Sequence, residues 1–246
     1  MLLLLLKSTV AMYVVMPVVA VLMARMLDLP PRTELALVVL AICAGAPLLP
    51  KKLIKFGGDP AYVFSLIVTT SFLAIITVPV SLHLLSDTIS FDTTAVTPSQ
   101  VARIILKSFL LLLGAGMLLR LLTPALAERI GDPLMKIAGA LIALSAPAVL
   151  AIGFRLVFEV GLTLLLAFGT FTLAAIVAGH LLGGPNPADR TSLAIACASR
   201  HIGLALLIAA NARGQHALAL VVAYLLASAV VLVPYAQWIT KRQATA

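Results

Sequence analysis

Apolar runs long enough to cross a bilayer recur along this chain, and they leave few options for its fold. Uninterrupted runs stand at about 8–27, 61–84, 98–122, 134–152, 156–182 and 216–240. A helix needs roughly 20 consecutive apolar residues to span the hydrocarbon core. Inside that core every backbone N–H and C=O must be satisfied within the protein. A β-barrel would instead show short segments of alternating polarity, and this sequence has none. The chain is 62% hydrophobic and 11% charged, whereas a soluble domain has about 45–50% apolar and 25% charged residues. The reading is an all-α polytopic membrane protein.

The net charge of +8 would suggest a nucleic-acid partner in a soluble protein. Here the basic residues lie mostly at the ends of apolar runs, where a membrane protein's cytoplasmic face collects them. Membrane lipids, and no nucleic acid, are therefore the expected surroundings. The loop SDTISFDTTAVTPSQ (Ser86 to Gln100) carries two Asp and no Lys or Arg, which suits the outer side. Lys7, Arg120, Arg129, Lys136, Arg190, Lys241 and Arg242 gather on the opposite side with both termini, against Arg25, Arg32, Arg155 and Arg213 on the outer one. Both termini are thus expected in the cytoplasm, and the membrane is expected to be a bacterial inner membrane. The start MLLLLLKSTVAMYVV places its apolar stretch before the Lys, the wrong order for a signal peptide. Cys43 and Cys197 both lie in apolar segments, so neither a disulfide framework nor a metal centre is indicated. No cofactor is expected.

Two further regions are apolar but broken. ELALVVLAICAGAPLLPKKLIKF (Glu34 to Phe56) is interrupted by Gly45, Pro47 and Pro50 and then by Lys51 and Lys52; the region from about Pro187 to Arg213 is interrupted at SRHIG. Both follow a Pro-rich turn, and both carry Arg-Thr-x-Leu-Ala, at Arg32 to Ala36 and Arg190 to Ala194. Each lies between two long runs. Counting each broken region as one crossing gives about eight transmembrane segments. The similar regions are five crossings apart and so enter the membrane in opposite directions, as inverted repeats do. Paired interrupted segments in two inverted halves point to a secondary transporter's binding site.

The breaks are where chemistry is expected. A break exposes a new helix N-terminus, which attracts anions, and a set of free carbonyls. Arg200 and His201 lie at one break, Lys51 and Lys52 at the other. An Arg at the bilayer centre costs about 2.5–3.5 kcal/mol on insertion scales, so it faces a cavity or a partner. Three roles are open for Arg200: to bind an anionic substrate, to supply a fixed positive charge in place of a bound cation, or to brace the crossing through the opposite half-helix's carbonyls. His201 is either a proton-coupling group or a packing residue. The cytoplasmic loops hold no nucleophile–base set and no paired carboxylates, which disfavours an enzyme.

The stretches AMYVVMPVVAVL, CAGAPLLPKKLIKFGGD and ASRHIGLALLIAAN resemble the bile acid:sodium symporter family. That family has ten helices: a core with two crossing, discontinuous helices and a panel of four. The resemblance implies a first core repeat over 1–90 (broken helix about 34–56), remaining panel helices over 91–153, and a second core repeat over 154–246 (broken helix about 187–213). It also implies that the chain begins where the family's third helix begins, without the first two panel helices. The arsenite-efflux branch of the superfamily carries a Cys just after the Ala-Pro of the first break, where this chain has Leu48.

The family's sodium ligands do not carry over. A Ser-Asn pair at the first break aligns with Leu49 and Pro50, next to Lys51. Hydroxyl ligands one helix later align with Val63 and Ile67. A shared glutamate at the second break aligns with Ala196, a glutamine with Arg200, an asparagine with His201, and a glutamine of the first core helix with Met12. The expected site is Leu49, Pro50, Lys51, Ala196, Ser199, Arg200 and His201. The expected function is secondary transport of a small organic anion, a carboxylate or sulfonate, by alternating access. Sodium coupling is expected to be lost, with motive force from protons through His201 or from the substrate gradient alone. The alternative is a non-transporting membrane scaffold or an inactive, N-terminally truncated form of such a transporter.

Overall fold

Lipid offers the backbone no hydrogen bonds, so apolar runs of this length close their own as helices. The computed structural model describes residues 2–44, 53–54, 58–89, 98–211 and 217–245, and among them there are helices and no strand. Helix α1 is Leu2–Met26, with one π-helical turn at Ala11–Val15. It is followed by α2 (Pro31–Ile42) and α3 (Pro60–Ile89). Helix α4 (Pro98–Ile105) passes through a second π-helical turn, Leu106–Leu110, into α5 (Leu111–Leu122). Then come α6 (Pro124–Val160), α7 (Leu162–Leu182), α8 (Pro187–Ala198), α9 (Ile202–Asn211) and α10 (Ala217–Thr245). Among the described residues, four helices are long and apolar enough to cross a membrane: Leu2–Met26, Pro60–Leu85, Leu162–Leu182 and Val222–Arg242. The protein is an all-α integral membrane protein. The other segments expected from the sequence correspond to the two broken helices, to α4 and α5 in series, and to α6.

The starts of these helices follow local rules. Pro31 and Pro187 stand at the first helical position, where a missing N–H costs nothing. Asn186 caps α8 by accepting from the Ala188 N–H at 3.1 Å. Asp59 caps α3 through the Tyr62 N–H at 2.8 Å. One boundary differs from expectation. The runs 134–152 and 156–182 were separated near 153, but α6 continues to Val160 and the chain turns at Gly161, whose φ of +85° suits glycine. The domain boundary drawn at 153/154 therefore falls inside a continuous helix. With 37 residues, α6 is about 55 Å long. Its charged first turns, with Glu128, Arg129, Asp132 and Lys136, allow that end to leave the hydrocarbon core.

The order helix, broken helix, helix is seen in α7, α8–α9 and α10; in the first region the described residues give α1, then α2 ending at Ile42, then α3. The half-helices lie at the centre. Residues Ala36 to Ala44 of the first and Thr191 to Ala198 of the second are all buried. Helix α7 packs on α8 through Gly179, where a methyl group would stand 2.3 Å from the Ala194 Cα. This is the close backbone approach that small residues allow in membranes. Helix α1 is tied to α3 by the Ser8–Tyr62 hydroxyl pair at 2.8 Å and by the Tyr13 hydroxyl donating to the Thr70 carbonyl. By contrast, α5 has no buried residue.

Candidate functional site: the crossing of two broken helices

Both broken helices stop at the level where they meet. In the first, α2 ends at Ile42, and Cys43 leaves helical geometry at φ −85°, ψ 69°. In the second, α8 ends at Ala198, and Ser199 is extended at φ −109°, ψ 119°. Each end leaves carbonyls without intrahelical partners, and those carbonyls organise the site. The His201 backbone N–H donates to the Cys43 carbonyl at 2.9 Å. Arg200 Nη1 donates to the Ala41 carbonyl at 3.2 Å. The Tyr224 hydroxyl, from α10, donates to the Ala198 carbonyl at 2.7 Å. The two breaks are thus joined directly, main chain to main chain and side chain to main chain.

Arg200 is 2% exposed, yet among the described residues only one of its three nitrogens is engaged. Nε and Nη2 meet no hydrogen-bond partner among the described residues. These two form one edge of the guanidinium, the fork that binds two oxygens of an oxyanion at once. The guanidinium carbon also stands 5.4 Å from the centre of the Phe171 ring on α7, within cation–π range. Phe171 is fixed in turn by burial in the α7 core, and Phe168 packs edge-on against Tyr224 with centroids 5.7 Å apart.

His201 is buried and caps α9. Its Nδ1 accepts from the Leu204 N–H at 3.2 Å, and its carbonyl accepts from the Leu204 and Ala205 N–H groups at 3.1 and 3.0 Å. Ser199 is half-buried and its backbone is extended. Ala196 is buried one turn before the break. The structure therefore brings Ala196, Ser199, Arg200 and His201 to the end of the first half-helix. Leu49, Pro50 and Lys51 lie outside the described residues. Met12, Val63 and Ile67 are buried apolar side chains in the core. Cys43 and Cys197 are free and buried beside the breaks.

The sequence reading missed the aromatic partners. Tyr224 and Phe171 stand in uninterrupted apolar runs, where an aromatic residue reads as packing. The available signal was scarcity: the chain has four tyrosines, and each spends its hydroxyl on a neighbouring helix.

Compared with known families, residues 2–167 match the Sodium Bile acid symporter family. This stretch carries the first broken helix; the second, with Arg200 and His201, lies beyond it. No curated protein matches the chain. With a family match over well more than half its length, and two broken helices joined at their breaks, the chain belongs to the sodium bile acid symporter family.

Proposed function

We propose that the protein is a secondary transporter of a small organic anion, working by alternating access about the crossing, with Arg200 as the charge that receives the anion. The observation that carries this reading is the buried guanidinium. One nitrogen is anchored to Ala41, while the Nε–Nη2 edge has no partner among the described residues. A brace alone would spend all its donors, because each unsatisfied buried donor is costly and more so on a charged group. An anchored Arg with an open fork is instead a positioned receptor for a carboxylate or sulfonate. Sodium coupling at the crossing is lost in this reading, because Ala196, Met12, Val63 and Ile67 supply no side-chain oxygen. Motive force then comes from protons or from the substrate gradient, in a bacterial inner membrane with both termini cytoplasmic.

The test is thermal stability of the purified protein with short monocarboxylates and sulfonates, each against its neutral amide. The wild type should be stabilised by at least one anion and by no amide. Arg200→Gln should fold and lose the effect, and Arg200→Lys should keep only part of it, since a point charge lacks the fork. Retained anion stabilisation in Arg200→Gln, or an Arg200→Gln protein that cannot fold, makes Arg200 a brace. No stabilisation of the wild type by any anion favours the scaffold reading.

A further inference from the structure

We infer that His201 is a proton-sensitive joint in the crossing: the arrangement described belongs to the unprotonated imidazole, and a proton taken up there releases the first turn of α9. The inference rests on reading the crossing as the transport site for its role. Its chemistry rests on the contacts of one residue.

His201 does three things at once. Its backbone N–H makes the main-chain bond between the two broken helices, to the Cys43 carbonyl at 2.9 Å. Its carbonyl accepts the first hydrogen bonds of α9. Its Nδ1 accepts from the Leu204 N–H, and the ring lies against Gly203, whose added methyl would stand 3.7 Å from Nδ1. A neutral imidazole with its proton on Nε2 satisfies this geometry. An imidazolium carries N–H on both ring nitrogens, so donor would face donor across 3.2 Å. It would also put positive charge at a helix N-terminus, where the dipole favours negative charge, and next to Arg200. All three effects disfavour the imidazolium, and the residue's own backbone carbonyl is the group that opposes them.

Among the described residues, the elements packed most extensively against α9 are α2, α4 and α10. At this level α2 contributes Cys43 and α10 contributes Tyr224, a thiol and a phenol that carry no charge between pH 5 and 8. Helix α4 carries Arg103, an exposed cation. Its charge, like that of Arg200, does not favour imidazolium. The proton comes from water and goes to Nδ1, and the Leu204 N–H loses its side-chain acceptor. Because the same residue bonds Cys43 and its neighbour bonds Ala41, losing the cap loosens the link between the two halves of the fold.

The deciding measurement is hydrogen exchange of the wild type in detergent, reading the amides of Leu204 and Ala205 and correcting for intrinsic rates. Protection should fall about fivefold between pH 8 and pH 5.5, the equilibrium equivalent of losing one helix cap. Unchanged protection overturns the proposal. As a second arm, His201→Asn and His201→Ser keep an oxygen that caps α9 without titrating, so each should retain wild-type protection at pH 8 and lose the acid response. An acid response that persists in either variant also overturns it. Anion-dependent stability at pH 8, read in the same samples, tests Arg200 separately. A dead proton response with intact anion binding leaves the transport reading standing, and the converse leaves the joint standing.

Discussion

Tyr224 supports the break that exposes Arg200. Its hydroxyl reaches the Ala198 carbonyl at 2.7 Å, a C=O that the end of α8 leaves without an intrahelical partner. Its ring meets Phe168 edge to face. Tyr224→Phe keeps the ring and removes the donor, so a buried carbonyl is left unpaired. The expected cost is about 1–3 kcal/mol, read as a lower melting temperature in detergent with unchanged helicity by circular dichroism. Tyr13→Phe, which frees the Thr70 carbonyl between α1 and α3, should behave the same way, and additively, because the two bonds share no partner. Arg200 was legible in the sequence, since a cation in an apolar run demands a reason. Tyr224 was not. A tyrosine in a membrane helix satisfies packing with its ring, and its acceptor lies 26 residues away in another helix. A hydrogen bond across helices leaves no mark on local composition.

Helix α8 is buried from Thr191 to Ala198, and its contact with α7 depends on one missing side chain. A methyl group at Gly179 would stand 2.3 Å from the Ala194 Cα and 2.4 Å from its N, both rigid backbone atoms. Gly179→Ala should therefore destabilise by about 1–3 kcal/mol through overpacking, with lower yield of folded protein. Gly169 lies two to three turns earlier on the same helix with nothing within 4 Å of an added methyl. Gly169→Ala should be neutral or stabilising by about 0.5–1 kcal/mol, the helix preference of Ala over Gly. Equal losses from both substitutions, measured by thermal denaturation, would show that close approach is not what Gly179 provides. The helices themselves were readable from run length, and the break between α8 and α9 from its charged pair, Arg200 and His201. The boundary at Gly161 was not, because Gly153 and Gly161 look alike in sequence and only the second takes a positive φ.

At the scale of the whole molecule, the five-residue match Arg-Thr-x-Leu-Ala falls in the first turns of both α2 and α8. It makes Glu34 and Ser192 equivalent, and each has a buried side-chain oxygen without a partner among the described residues. Thr33 and Thr191, one residue earlier, are both buried. Ala36 and Ala194 are buried as well, whereas Leu35 is half-buried and Leu193 fully buried, so the two copies share burial at two positions of the match. The meeting of the breaks could not be read from sequence, since the bonds joining them use backbone carbonyls that every residue possesses. In the reading proposed above, these positions offer no ring of oxygens for an alkali ion: Met12, Val63, Ile67 and Ala196 are each at most 1% exposed and apolar, and Arg200 holds a fixed charge nearby. A cation entering there would meet hydrocarbon and a guanidinium, where desolvation is not repaid. The expected result is therefore equal thermal stability in sodium, potassium and choline at one ionic strength. A sodium site occupied at 100 times its Kd would add about 2.7 kcal/mol, well above what such melts resolve. A sodium-specific shift that survives Arg200→Gln would mean that oxygens away from the crossing bind the ion. A shift that vanishes with Arg200→Gln would mean that sodium and the guanidinium share one site through a bridging anion.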